Sequence, residues 1–256
     1  MRIAIVGAGI AGNTVAYKLC AEHEITLFEA ADYVGGHTHT VDVEHGGARY
    51  AIDTGFIVCN DWTYPNFLAL LAELGVATQP TSMSFSVSCE RTGLEYNGTS
   101  LASLFADRRN LVRPRFYRLL ADIVRFGRDA RAYLATDNDT ATLGDFLAAH
   151  RYGRELVDHY VVPMTAAIWS AGPGSVFAMP ARFLLRFLAN HGMLSIDDRP
   201  QWRTVVGGSA RYVDKMTLRY RQRIRTSCPV ISVARLPHGV AVRPRDGESE
   251  HFDAVF

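Results

Sequence analysis

The chain opens with short apolar runs separated by glycine-rich or polar stretches. Residues 3–6 (Ile-Ala-Ile-Val) are apolar and partly β-branched, which is typical of a strand buried on both faces. A second such run, residues 25–28, ends on an acid, Glu29. The stretch between them, from about residue 11 to residue 21, predicts a helix. Strand, helix and strand in this order predict the beginning of a parallel sheet.

The middle of the chain has the period of helices. From Pro114 to residue 134, apolar residues recur at intervals of three and four, and this predicts a long amphipathic helix. Further helices are predicted over 63–74, 142–150, 153–162 and 180–190, and two strands between about 82 and 96. Strand patterns return over 224–225, 230–234, 240–243 and 251–256. The sequence therefore predicts an α/β fold, in which a Rossmann-like domain built from 1–80 and 196–256 carries a largely helical α+β domain over 81–195.

A glycine-rich motif follows the first predicted strand. Gly7, Gly9 and Gly12 enclose Ala8, Ile10 and Ala11 in the spacing G-x-G-x-x-G. The first glycine allows a tight turn, the second lets a pyrophosphate approach the backbone, and the third lets the helix pack closely on the strand. Glu29 follows at the spacing of roughly 20 residues expected of a carboxylate that binds a ribose diol. A dinucleotide is predicted, and NADP is disfavoured because this carboxylate repels a 2′-phosphate, which leaves NAD and FAD.

Three later segments extend the pattern. Residues 29–36 read E-A-x-x-x-x-G-G, residues 53–55 read D-x-G, and residues 202–209 read W-R-T-V-V-G-G-S. Their order resembles the flavin-dependent amine oxidase superfamily, which also contains phytoene-type desaturases and protoporphyrinogen oxidases. Within it, the last segment is most similar to a bacterial branch of NAD/FAD-binding oxidoreductases. The family's usual arginine after the glycine pair is His37 here.

The resemblance implies FAD as the cofactor and names further residues that contact it. The glycine pair and its neighbours would lie beside the phosphates, the backbone of the D-x-G segment beside the flavin ring, and the backbone of one valine beside the adenine. The implied positions, in addition to the glycine motif and Glu29, are Ala30, Gly35, Gly36, His37, Thr38, Gly55, Phe56 and Val230. No catalytic residue is assigned, because neither Lys18 nor Lys215 is well placed to serve the flavin.

The function expected from this resemblance is an FAD-dependent oxidoreductase that takes a hydride from a C–N or C–C bond of a small apolar substrate. The protein's part in such chemistry is binding, orientation and exclusion of water. Two alternatives stay open at this point. One is an NAD-dependent dehydrogenase, and the other is a catalytically silent protein that binds a nucleotide or a lipid.

Composition limits the partners and the cellular compartment that are expected of this protein. Among 256 residues the net charge is +1, so nothing indicates a nucleic-acid partner. Four scattered cysteines without a C-x-x-C pair favour reduced thiols and a cytoplasmic protein. The amphipathic stretch 180–190 is interpreted as the roof of a substrate cavity, in preference to a peripheral membrane contact.

Three further patterns receive a structural interpretation. The histidines His37, His39 and His45 are not assigned to a metal, because their loop lies beside the expected cofactor phosphates. The pair Asp197-Asp198 precedes Arg199-Pro200 and is interpreted as a solvated turn. Residues 251–256 predict one buried strand at the very end of the sequence, so the chain is expected to be C-terminally truncated and its flavin pocket incomplete.

Overall fold

The computed structural model describes residues 1–137, 139–169, 172–195 and 199–256. They form two compact units, one of residues 1–81 and 202–256 and the other of residues 82–201. In chain order the elements are β1 (Arg2–Val6), α1 (Ile10–Leu19), β2 (Glu24–Phe28), β3 (Thr40–His45), β4 (Ala48–Asp53), β5 (Cys59–Asn60), α2 (Pro65–Glu73), β6 (Thr78–Thr81), β7 (Ser86–Cys89), β8 (Leu94–Asn97), α3 (Leu101–Leu104), α4 (Pro114–Leu134), α5 (Leu143–Ala149), α6 (Arg154–Leu156), α7 (Val162–Trp169), α8 (Pro173–Ala178), α9 (Ala181–Asn190), β9 (Trp202–Val205), α10 (Ala210–Thr217), β10 (Ile224–Arg225), β11 (Val230–Arg235), β12 (Val240–Pro244), β13 (Glu250–Phe252) and β14 (Ala254–Val255).

A four-stranded parallel sheet organises the first unit. Its strand order is β10-β2-β1-β14, and α1 connects β1 to β2. Ile5 and Leu27 are fully buried where β1 and β2 pair, as apolar strands of a parallel sheet should be. Two strands of this sheet come from each end of the sequence. The predicted Rossmann-like α/β fold is therefore confirmed.

The last six residues differ from the single strand predicted over 251–256. They belong to β13, which is antiparallel to β12, and to β14, which is parallel to β1. Asp253 separates the two strands, since its N–H donates to the carbonyl of Arg2 and its carboxylate accepts from the N–H of Arg2 at 2.6 Å. The chain changes its partner strand from β12 to β1 at Asp253, and the pattern of apolar residues in the sequence does not indicate such a change.

The helix predicted over 153–162 is interrupted and runs further than expected. A π turn, Val157–Val161, lies between α6 and α7. Pro163 lacks the N–H that would bond the carbonyl of His159 four residues earlier. The hydroxyl of Tyr96 donates to that carbonyl instead, at 2.7 Å. This bond satisfies a backbone acceptor that the proline leaves open.

The second unit packs its helices around one apolar core. The long helix predicted from Pro114 is α4, and it buries Phe116, Leu119, Phe126 and Ala130 on one face. These side chains pack with those of α5, α9 and the hairpin β7–β8. Among the described residues, the helices are too short or too polar to cross a bilayer. The pair Asp197-Asp198 lies outside the described residues.

A hairpin in the first unit was not predicted from the sequence. Strands β3 and β4 pair in register, with Val41 opposite Ile52 and Val43 opposite Tyr50. These four side chains share one face because alternate residues point to the same side of a strand. A second small sheet, of order β5-β9-β6, joins residues that precede the second unit to residues that follow it.

Candidate functional site

The carboxyl edge of the parallel sheet brings the predicted motifs together. β1 ends at Val6 and β2 at Phe28, so the glycine loop and Glu29 emerge side by side. The N–H of Gly7 continues the pairing by donating to the carbonyl of Phe28 at 2.7 Å. Ligands of open α/β sheets bind outside this edge.

The three glycines of the loop have different structural reasons. Gly7 has φ +98°, a conformation that other residues rarely adopt. A Cβ on Gly12 would overlap the carbonyl oxygen of Gly7, so only glycine lets α1 lie against the loop. Gly9 is different, because its backbone is extended and a Cβ there would meet only the Cα of Gly36, at 3.9 Å. The fold tolerates a side chain at this position, and its absence leaves the start of α1 accessible.

The start of α1 is suited to bind an anion. Gly9 is the N-cap residue, and among the described residues no side chain caps this end of the helix. The first turn contains no acid, and Ile10 and Ala11 are exposed. The unpaired N–H groups and the positive end of the helix dipole therefore face outward, which is the arrangement that binds phosphate groups in many proteins.

The glycine pair packs directly on this loop. The N–H of Gly35 donates to the carbonyl of Ala8 at 2.9 Å. Gly36 has φ +62°, and a Cβ there would come within 2.8 Å of the Cα of Gly9. The backbone of the G-x-G-x-x-G loop thus contacts the backbone of the glycine pair, although Gly36 follows Gly7 by 29 positions in the sequence. A larger residue at Gly9 or at Gly36 would close the space in front of α1.

The next two residues of this segment lie in different surroundings. His37 is exposed. Thr38 is buried, and its hydroxyl is hydrogen-bonded to the hydroxyl of Tyr212 on α10. Burial raises the pKa of Tyr212, so this phenol stays protonated. Thr38 therefore fixes the loop to a helix with its side chain, and only its backbone is available to a ligand.

Glu29 has backbone partners that the sequence did not reveal. One carboxylate oxygen accepts from the N–H of Ala8 at 2.6 Å and the other from the N–H of Ala31 at 2.8 Å. Each oxygen keeps a second lone pair for a further donor. The neighbouring Ala30 is exposed. The acid thus ties the end of β2 to the glycine loop and still faces the region in front of it.

The segment before Val230 reaches the same edge. The N–H of Glu29 donates to the carbonyl of Arg225 at 2.9 Å, and its carbonyl accepts from the N–H of Cys228 at 2.8 Å. Val230 begins β11 two residues later, is half-buried, and packs beside Phe28 and its neighbours in the core. Its backbone thus follows, two residues later, the Cys228 N–H that is bonded to Glu29.

The D-x-G segment is held against His37. A Cβ on Gly55 would overlap the carbonyl oxygen of His37, and the N–H of Phe56 donates to that oxygen at 3.3 Å. The ring of Phe56 meets the ring of Phe67 edge to face, with 5.1 Å between centroids. The glycine is required here by close backbone packing, and the aromatic contact orients the segment.

Asp53 has a role that sequence reasoning missed. Its carboxylate accepts from the N–H of Ser209 at 2.9 and 3.0 Å, from the hydroxyl of Ser209 at 2.8 Å and from the hydroxyl of Thr40 at 2.6 Å. Thr40 in turn accepts from the N–H of Ala210 at 2.9 Å. The D-x-G segment thus caps α10 from a distance of 156 positions along the chain, and no local pattern indicates such a bond.

An open cleft of about 340 Å³ adjoins this cap. Its lining includes Ile52, Asp53, Ile57, Thr204 and Gly208. Within the described part of the chain, no three His, Cys, Asp or Glu side chains are close enough to hold a metal ion. His39 is hydrogen-bonded through Nδ1 to the hydroxyl of Thr54 at 2.6 Å.

Comparison with known proteins agrees with this geometry. Residues 10–255 match the family model described as flavin containing amine oxidoreductase. The chain is 28% identical over 257 residues to a protein named as a flavin-containing monoamine oxidase of Mycobacterium tuberculosis, with 97% of this chain and 54% of that protein covered. It is 26% identical over 182 residues to protoporphyrinogen oxidase 2 of Arabidopsis thaliana, with 68% of this chain and 34% of that protein covered.

The fold has a solved counterpart. Cyclohexylamine oxidase of Brevibacterium oxydans superposes with a TM-score of 0.73 at 18% sequence identity. The superposition covers 99% of this chain and 56% of that structure. The chain thus spans about half the length of the monoamine oxidase and of this structure.

Proposed function

Because the chain belongs to the family of flavin containing amine oxidoreductases, we propose that it binds FAD and acts in the oxidation of a small apolar substrate. The observation that carries this proposal is the approach of Gly36 to Gly9 in front of the open start of α1. A Cβ at Gly9 would fill the space through which a pyrophosphate reaches the helix N–H groups.

Different groups of the chain would bind different parts of FAD. The N–H groups at the start of α1 hold the pyrophosphate, and the free lone pairs of Glu29 accept from a ribose hydroxyl. The backbone of Val230, at the start of β11, would be available to the adenine, and the backbone of Gly55 and Phe56 to the flavin ring. When bound, FAD accepts the hydride, and the protein binds and orients the reactants and excludes water.

The substrate domain is assigned to the second unit, residues 82–201, and the FAD-binding domain to the first. The bond of the substrate that is oxidised is C–N or C–C. No residue of this chain is assigned to proton transfer. All four cysteines are free, which supports a reducing compartment such as the cytoplasm. An NAD-dependent dehydrogenase has no support among the family and relatives that match.

The test of this proposal is an absorption spectrum of the purified 256-residue chain with added FAD, followed by acid release and mass spectrometry of the released ligand. The expected result is a bound flavin spectrum and release of FAD. A chain that carries no flavin once gel filtration has removed the excess FAD, while correctly folded by circular dichroism, contradicts the proposal.

A matched pair of variants tests the location of the site. Gly9 and Gly153 are both N-cap residues with extended backbones, and a Cβ on Gly153 has nothing within 4 Å. We expect Gly9→Ala to weaken FAD binding at least about tenfold and Gly153→Ala to leave it unchanged. Equal FAD affinity of the two folded variants would show that the pyrophosphate binds elsewhere.

A further inference from the structure

Residues 37–39 and 54–56 continue the hairpin β3–β4 toward the proposed cofactor site. The N–H of Thr54 donates to the carbonyl of His39 at 2.9 Å, and the N–H of Phe56 donates to the carbonyl of His37 at 3.3 Å. The second bond is longer than the usual length of about 2.9–3.0 Å, so the pairing weakens toward its open end. That end carries Gly55 and Phe56, whose backbone is assigned to the flavin ring, and further contacts are needed to hold it.

Tyr212 on α10 supplies contacts to both sides of this open end. Its hydroxyl is hydrogen-bonded to the hydroxyl of Thr38, and its ring meets the ring of Phe67 edge to face, with 5.2 Å between centroids. Phe67 in turn meets the ring of Phe56 at 5.1 Å. Together with the bond from Phe56 to His37, these contacts form a closed circuit, which we call the Tyr212 bracket (His37, Thr38, Phe56, Phe67 and Tyr212).

Tyr212 is itself held rigidly. It is 2% exposed and packs in an apolar core that includes Leu71 and Met216. Burial raises the pKa of its phenol, so the hydroxyl keeps its proton in neutral solution and stays able to bond to Thr38. The carboxylate of Asp53 caps α10, so the helix that carries Tyr212 is also fixed to the start of the D-x-G segment.

The pyrophosphate side of the site is anchored by different contacts. The N–H of Gly35 donates to the carbonyl of Ala8 at 2.9 Å, and the N–H of Ala8 donates to Glu29 at 2.6 Å. Neither bond includes a group of the Tyr212 bracket. Loss of the Tyr212 hydroxyl should therefore loosen the flavin side of the site and leave the pyrophosphate side in place.

We propose that Tyr212 is a positioning residue of the cofactor site, which acts through Thr38 and Phe67 to hold the backbone of Gly55 and Phe56 where the flavin ring is received. The inference rests on the proposed binding of FAD. A segment that is held in place before the ligand arrives loses less conformational entropy on binding, so the bracket raises the affinity for FAD. Tyr212 acts from the core, because its side chain is buried.

The test compares FAD with ADP, which shares the adenosine and both phosphates of FAD but lacks the flavin ring. Affinities of the full 256-residue chain and its variants are measured by isothermal titration calorimetry. We expect Tyr212→Phe to weaken FAD binding about fivefold, the factor that one net hydrogen bond provides, and to change ADP binding less than about twofold. Thr38→Val removes the other hydroxyl of the same bond and should give the same result.

A double variant tests whether the two hydroxyls act through their mutual bond. Because each single variant already removes that bond, Thr38→Val combined with Tyr212→Phe should weaken FAD binding about fivefold again, whereas independent effects would multiply to about 25-fold. The matched control is Tyr96→Phe in the second unit. Tyr96 is 5% exposed, and its hydroxyl also makes one bond, to the carbonyl of His159 at 2.7 Å. This control should lose comparable thermal stability but bind FAD like the wild type.

The outcomes separate this inference from the proposed function. A wild-type chain without affinity for FAD overturns the proposed function and the inference with it. When the wild type binds FAD, an unchanged FAD affinity in the folded variants Tyr212→Phe and Thr38→Val overturns the positioning role alone. Equal losses for FAD and ADP, or an equal loss in Tyr96→Phe, overturn it too, because the effect is then a general loss of stability. If circular dichroism shows that Tyr212→Phe does not fold, Thr38→Val decides by the same comparison.

Discussion

Replacement of Asp53 by alanine removes the carboxylate that caps α10. Three donors lose their acceptor at once, namely the N–H of Ser209, its hydroxyl and the hydroxyl of Thr40. In the wild type the hydroxyl of Ser209 donates to Asp53 and makes no capping bond within its own helix. The helix start is thus satisfied by a residue from the other half of the first unit.

The expected loss of stability follows from these bonds. A helix cap contributes about 0.5–2 kcal/mol and a hydrogen bond to a charged group about 1.5–3 kcal/mol. The two hydroxyls are only partly buried and regain water, so we expect Asp53→Ala to lower the free energy of unfolding by about 3 kcal/mol. Asp53→Asn keeps an acceptor oxygen without the charge and should lose about half as much.

Urea denaturation followed by far-ultraviolet circular dichroism measures this loss, and hydrogen exchange of the amides of α10 locates it. With a slope of about 3 kcal/mol per molar urea, the midpoint of Asp53→Ala should fall by about 1 M. The control is Asp214→Ala in α10, since that carboxylate is 64% exposed and lies 3.3 Å from Arg221. Equal midpoints for Asp53→Ala and Asp214→Ala would refute the capping role.

Three further predictions concern single residues. Gly12→Ala should destabilise the chain by about 3 kcal/mol or more, because its Cβ overlaps the carbonyl oxygen of Gly7, whereas Gly174→Ala has open space and should melt like the wild type. Glu29→Gln should lower the free energy of unfolding by about 2 kcal/mol in urea, because an amide accepts only one of the two backbone N–H bonds; a wild-type midpoint would contradict this. Hydrogen bonds from Thr142 lower the pKa of Asp145 below its ordinary value, so its contribution is complete above about pH 4 and is lost as the pH falls through the folded-state pKa. The acid limb of a stability-against-pH curve should therefore flatten in Asp145→Asn, and an unchanged limb would exclude the effect.

Regular periodicity and motif spacing allowed much of this architecture to be predicted. The long apolar period after Pro114 defined α4, and the G-x-G-x-x-G spacing placed a strand, a turn and a helix at the sheet edge. In both cases the signal is local, because residues three to seven apart determine which side of an element is apolar. The match of residues 10–255 to the flavin containing family confirmed the resemblance drawn from these motifs.

Features that depend on distant partners could not be predicted. Val41 and Val43 do alternate with polar residues, but Ala51 separates Tyr50 from Ile52, and the pairing of these two six-residue strands is visible only in three dimensions. The bonds from Asp53 to Ser209 require knowledge of which helix lies beside the D-x-G segment. The predicted contacts of Glu29 and Val230 with a cofactor are still predictions, and the backbone bonds of Glu29 came from the structure alone.

The order in which the first unit is synthesised follows from its division around residues 82–201. β1 and β2 leave the ribosome early, but β10 follows β2 only after about 195 further residues, and β14 comes later still. At about 5–20 residues per second, this delay lasts roughly 10–40 s. Throughout it, the apolar strands have no complete sheet to join and are exposed to chaperones and to other nascent chains. The yield of folded protein in a cell therefore depends on how fast translation passes through the second unit.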